Sequence, residues 1–267
     1  MADPIAKKLL LLGWDAADWH LIHPLLDAGR MPHLKRLIDH GVMGNLLTLQ
    51  PVLSPILWTS IATGKRAYQH GVHGFVEPVP DGASLRPTAS TTRKCKALWN
   101  ILAQAGKRCQ AVGWYASHPA ERIGGVCVSH QFPVAPASAR PGAWPPQPNS
   151  VEPWELAETL AELRVHPHEI TGPMLSQFVP AAEHLDQRDP DVRYLMVAFA
   201  KRLAECVSLH AVVTALMEQE PWDFCAPYYE AIDHVGHDFM PLHPPQMQYA
   251  RDDLFAAFSG VVDAIYE

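Results

Sequence analysis

The stretch "KLLLLGWD" (residues 8–15) decides how the rest of the chain is read. Its four leucines are far too few to span a bilayer. Lys7-Lys8 in front of them raises the question of a signal peptide. Gly13-Trp14-Asp15 breaks the run before a full apolar region forms, and no small-residue cleavage site follows. A short, continuously apolar run of this kind reads as a strand buried in a parallel sheet. Asp15 then stands at the carboxyl end of a strand, where open α/β sheets bind ligands. The same position also suits a turn residue, or a cap for a helix beginning near Asp18.

The composition supports a globular reading. The chain has 267 residues, 48% apolar and 18% charged, enough to bury a sizeable core. Its net charge is −7 and its pI about 6.1, and no basic block stands out. That argues against a nucleic acid polymer as partner. An acidic protein acting on an anionic substrate needs a local positive centre, and a bound divalent cation supplies one. Cys95, Cys109, Cys127, Cys206 and Cys225 show no CxxC spacing. They read as reduced thiols of a cytoplasmic protein.

Outward from residues 8–15, helices are expected over 18–28 and 32–40, ending near Gly29 and Gly41. A second strand is expected over 44–49, a helix over 57–63 closed by Gly64, and a helix over 93–105 closed by Gly106. Strands follow over 108–114 and 222–229, and a final helix over 244–267. This alternation predicts an α/β fold: a mainly parallel sheet with helices on both faces. Residues 133–153 hold seven prolines, too many for a sheet strand to pass. The expected organisation is a first core segment (1–132), a Pro-rich loop and helical cap (133–220), and a return to the core (221–267). No strand follows the last helix, so the sheet is expected to lack its C-terminal part.

Two further segments carry chemistry. Ser54 lies between Pro51 and Pro55, past the expected second strand and at the mouth of a helix. It is either a turn and cap residue or a nucleophile. "YYEAIDHVGHDF" (228–239) follows the last expected strand. Its Asp233 and His237 are four residues apart and share a face if the segment is helical. An aspartate oxygen with a histidine nitrogen suits zinc or a similar divalent metal. Asp15 could serve a second metal, beside which the Ser54 hydroxyl would be driven toward alkoxide. His243 is a weaker candidate. The other histidines read as structural, with His70 satisfying a turn. No G-x-S-x-G elbow is present, which argues against a metal-free serine hydrolase.

Together "LLLLGWDAAD", "QPVLSPILWTSIATGKRAYQHGVHGF", "GWYASHPAERIGGVCVSH" and "YYEAIDHVGHDF" resemble the type I phosphodiesterase/nucleotide pyrophosphatase branch of the alkaline phosphatase superfamily. The resemblance implies an alkaline-phosphatase-like fold and a small phosphate-ester substrate. It also implies two divalent metal ions, commonly zinc, with manganese as the alternative. Asp15 resembles a ligand of the metal that Ser54, the nucleophile, contacts. Asp233 and His237 resemble ligands of the other. The family's later Ser-Asp-His-Gly segment has no counterpart after residue 237. Leu57 stands where nucleotide pyrophosphatases carry a phosphoryl-binding Asn. Ile56 and Trp58 replace the Pro and Arg of sulfatases, which argues against sulfatase activity. The implied activity is phosphoryl transfer to Ser54 followed by hydrolysis. On this resemblance the chain is expected to be the N-terminal portion of such an enzyme; the alternative is a non-catalytic, truncated or degenerate phosphatase-fold domain that acts by binding.

Overall fold

A computed structural model describes residues 6–267. Its strands are β1 (Leu9–Leu10), β2 (Gly13–Trp14), β3 (Val76–Pro78), β4 (Leu85–Pro87), β5 (Cys109–Val112), β6 (Val126–Val128), β7 (Val151–Glu152) and β8 (Phe224–Tyr229). The helices are α1 (Trp19–Asp27), α2 (Pro32–Asp39), α3 (Ser54–Thr63), α4 (Ala67–His70), α5 (Leu98–Gln104) and α6 (Ala157–Ala161). They continue as α7 (Gly172–Leu175), α8 (Pro190–Gln219), α9 (Ala231–Phe239), α10 (Asp252–Phe258) and α11 (Val261–Tyr266).

The main sheet runs β1/β2–β8–β5–β6–β7, parallel except for β7. The expected strand at 8–14 is therefore present but split. Both halves keep one register against β8, with Leu9 opposite Phe224 and Gly13 opposite Tyr228. In that register the gap at Leu11-Leu12 faces Ala226-Pro227. Proline brings no N–H to the ladder, which accounts for the lapse. Strand β8 is apolar throughout, as a strand flanked on both sides and covered on both faces must be. An antiparallel β3–β4 hairpin stands apart.

Side chains of the sheet alternate between two cores. Cys109, Ala111, Phe224, Ala226 and Tyr228 face Trp58 and Ala62 of α3 and Trp99 of α5. Val112, Val126 and Val128 face Leu160 of α6 and Leu209, Val212 and Leu216 of α8. A third core joins the first half of α8 to α1, α9, α10 and α11, with Phe199 fully buried between Phe178 and Phe239. No helix among the described residues is long and apolar enough to cross a membrane.

Three expectations need correction. Residues 44–49 form no strand: Leu46 and Leu47 are 86% and 91% exposed. A strand needs a partner ladder, and none of the described strands offers one there. Residues 133–220 do not lie wholly outside the core sheet. They add β7 to its edge and, through α8, one of its covering layers. The final helix is two helices, α10 and α11, parted near Gly260, and residues 244–251 are not helical.

Two consequences follow from burial. Phe199→Ala removes a ring at the centre of the third core and should cost about 3–5 kcal/mol. Leu46→Ser should stay within about 0.5 kcal/mol. Urea unfolding of the two variants separates these outcomes. The His130 imidazole, just past β6, is pushed down to about 4 by burial and by neighbouring His118, and its Nδ1 has no partner among the described residues. The unfolded imidazole protonates near its ordinary value of about 6.5. Stability should therefore fall as pH drops from about 6.5 toward 4, because the unfolded chain takes up the proton first. The urea midpoint of His130→Gln should fall less between pH 7.5 and pH 5 than that of the wild type.

Candidate active site

Asp15 follows β2 directly, and its N–H donates to the Tyr229 carbonyl at 3.0 Å. The carboxylate is buried, with 7% exposure, and both its oxygens are engaged. Trp58 Nε1 donates to Oδ1 at 2.8 Å, and the Tyr228 hydroxyl donates to Oδ2 at 2.7 Å. Asp15 is therefore not a helix cap. That role belongs to Asp18, which accepts from the His20 N–H at 2.8 Å.

The clamp depends on close packing. The Trp58 ring lies 4.5 Å from the Tyr228 ring and edge-on to Trp114 at 5.5 Å. A Cβ at residue 13 would come within 2.7 Å of the Trp58 ring. Glycine is what lets the indole lie against the strand and reach Asp15.

Trp58 and Ser54 belong to the same helix. The two residues are one helical turn apart on α3, and Ser54 is that helix's first residue. Through Trp58, α3 is tied to Asp15, the residue that follows β2. Ile56 and Leu57 donate to the Leu53 carbonyl at 2.9 and 3.0 Å, and Pro55 has no N–H. That leaves the Ser54 amide and hydroxyl at the positive end of a ten-residue helix. Gly64 ends α3 in the left-handed conformation at φ 65°. His70 is fully buried; its Nδ1 accepts from the Val72 N–H and its Nε2 pairs with Ser60 Oγ. It supports the turn after α3.

Helix α9 starts one residue beyond β8. Asp233 and His237 share one face of it, with Oδ2 and Nε2 3.5 Å apart. Asp15, Glu230 and Asp233 thus gather at the ends of two adjacent parallel strands. The crowding is legible in the proton affinities of Glu230 and Asp233. Burial, then Asp15, Glu205 and Asp233, raises Glu230 to about 8, with Arg202 opposing. Burial, then Asp15, raises Asp233, with His237 and Arg202 opposing. Burial, then Glu230 and Asp15, holds the Tyr228 phenol far above its ordinary range, so it stays a donor. The His234 imidazole is pushed down to about 4 by burial and by Arg202.

Among the described residues no three His, Cys, Asp or Glu side chains come together in a way that could hold a metal ion. The oxygens of Asp15 are already bonded, and Asp233 and His237 make only a pair. This donor set does not fit a fully protein-ligated metal. His243 is engaged elsewhere, its Nε2 3.0 Å from Asp263. The sequence reading missed three contributors. Trp58 was visible as the residue one turn after Ser54, and Glu230 closes the β8 run. Arg202 lies inside the expected cap and carried no local signal.

The chain is an α/β sheet with helices on both faces and a cluster of polar side chains at its carboxyl edge, where open α/β sheets bind ligands. The type I phosphodiesterase/nucleotide pyrophosphatase family profile matches residues 9–257, and the chain belongs to that family. No curated protein matches the chain. It is similar in fold to phosphonoacetate hydrolase from Sinorhizobium meliloti 1021 in complex with phosphonoformate. That match has TM-score 0.52 and 17% identity, over 96% of this chain and 51% of that one. For the same hydrolase with phosphonoacetate the values are 0.51 and 18%, over 85% and 47%. The chain spans about half the length of these structures.

The clamp yields a direct expectation. Trp58→Phe and Tyr228→Phe each leave one Asp15 oxygen buried without its donor and should cost about 1–3 kcal/mol. Because they share an acceptor, the double variant should deviate from additivity by at least about 0.5 kcal/mol. A double-mutant cycle in urea measures it, and strict additivity would show that Asp15 is not held by both.

Proposed function

We propose that this protein is a phosphoryl-transfer hydrolase acting on small phosphate esters through Ser54. The observation that carries the proposal is the Trp58–Asp15 bond, which ties α3, the helix that Ser54 begins, to the end of β2, next to the strand β8 after which Asp233 and His237 follow. Family membership supports the reaction class.

In this reading Ser54 Oγ attacks phosphorus and forms a phosphoserine, and the ester oxygen leaves with a proton. Water then cleaves the O–P bond, releasing phosphate and restoring the serine. The Ser54 amide at the helix N-terminus favours the phosphoryl oxygens. Leu57 offers no side-chain donor to them. Asp233 and His237 are the two donors open to an added zinc or manganese ion, and no step is assigned to that ion. The five free cysteines fit a cytoplasmic location. A second reading, binding without turnover, is favoured by the incomplete donor set at the same edge.

The test is hydrolysis of p-nitrophenyl phosphate and bis-p-nitrophenyl phosphate, with trapping of phosphoserine. Slow turnover that disappears in Ser54→Ala is expected. Turnover that survives Ser54→Ala would remove Ser54 from the reaction. Added zinc should bind weakly, and its small rise in Tm should vanish in Asp233→Asn.

A further inference from the structure

Helices α8 and α9 enclose a groove of about 820 Å³, within the range of small-molecule sites. One wall is built from two adjacent rows of α8, each with four-residue spacing. Arg193, Val197 and Lys201 make the first row; Tyr194, Ala198 and Arg202 make the second. The opposite wall is α9, through His234, His237 and Asp238. His237 therefore belongs both to this groove and to the candidate active site.

The groove has an apolar floor and cationic ends. Val197 and Ala198 line its middle. The Tyr194 hydroxyl donates to Asp238 Oδ1 at 2.9 Å, which fixes the ring across the gap and occupies the acid. Arg202 is 3.1 Å from Glu205, so its charge is largely met within α8. Lys201 lies 3.9 Å from Glu205, too far for a hydrogen bond, and Arg193 has no ion pair among the described residues. At 1.5 Å rise per residue, Arg193 and Lys201 stand about 12 Å apart along α8. Two such cations beside an apolar trough are notable in a chain of net charge −7.

We propose that this groove binds the non-reacting end of the substrate, and that this end carries a second anionic group. The statement rests on the reading of Ser54 as the reaction centre. The reacting phosphoryl group sits at the sheet edge, the carbon chain crosses Val197 and Ala198, and the distal anion meets Lys201 or Arg193. The substrate class is an elongated phosphate ester with a terminal carboxylate or second phosphate. Lys201 and Arg193 are then specificity determinants outside the chemical step.

The experiment compares two probes of equal length, 6-phosphonohexanoate and hexylphosphonate, by isothermal titration calorimetry. They differ only in a terminal carboxylate against a methyl group. The wild type should prefer the carboxylate probe by at least about tenfold, and rising salt should erode that preference. The Arg193→Gln, Lys201→Gln double variant should lose the preference. Both side chains are exposed, and far-ultraviolet circular dichroism checks that the fold survives. Val197→Trp, which fills the trough, should lose it as well. Equal binding of the two probes by the wild type would overturn the proposal. So would a preference that persists in both variants, or saturable binding of polyglutamate with no preference among the small probes. None of these readouts depends on turnover. Failure here is therefore distinct from failure of the Ser54 assignment, which phosphoserine trapping reads separately.

Discussion

The carboxylate of Asp15 is held on both oxygens by aromatic donors from different parts of the chain, Trp58 and Tyr228. A buried carboxylate costs several kcal/mol unless it is hydrogen-bonded, so this arrangement constrains everything around it. It needs a glycine at residue 13 for the indole to lie flat. It needs β2 paired with β8, so that residues 15 and 228 meet although 213 positions separate them. It also needs α3 packed on the same sheet face. Once these hold, α3, the helix that Ser54 begins, is tied through Trp58 to the end of β2.

The electrostatic character of that edge follows from the same geometry. Parallel neighbouring strands deliver their following residues to one side, and here those residues are carboxylic acids. Burial, and then the charge of Asp15, raises the proton affinity of both Glu230 and Asp233. Arg202 is the cation that opposes this within the structure, and Glu205 shares its charge. An edge with surplus negative charge attracts a cation, yet its donors are not gathered into a cage. Family membership supports the proposed reaction class, while the donor arrangement limits what these residues do with a metal. The proposed chemistry therefore rests on Ser54 and the helix terminus.

Helix α8 connects the sheet to the candidate site in a way its composition alone does not suggest. Its second half is a covering layer of the sheet, and its first half packs on α9 in the helical core. One continuous helix thus sets the distance between the sheet and the α9 face that carries His237. A detached cap would leave that distance free. With α8 anchored at both ends, the cationic rows beside α9 are fixed in place.

Much of the fold was legible because its signals are local. The apolar runs at 8–14 and 222–229 announce buried parallel strands. Gly64 and Gly106 end their helices through a conformation that glycine adopts without strain. The four-residue spacing of Asp233 and His237 puts them on one helix face. The expected strand at 44–49 failed because β pattern describes a capacity to pair, and pairing needs a partner elsewhere. The interval 133–220 was misjudged for a related reason: proline density marks a loop but says nothing about where the following helix packs. Sequence by itself determined the fold class, the family and the short segments proposed to carry chemistry. Tertiary structure alone decided that Trp58 and Tyr228 close on Asp15, that Glu230 sits among like charges, and that α8 and α9 enclose a groove. Those are contacts between residues tens to hundreds of positions apart, and only the packed chain brings them together.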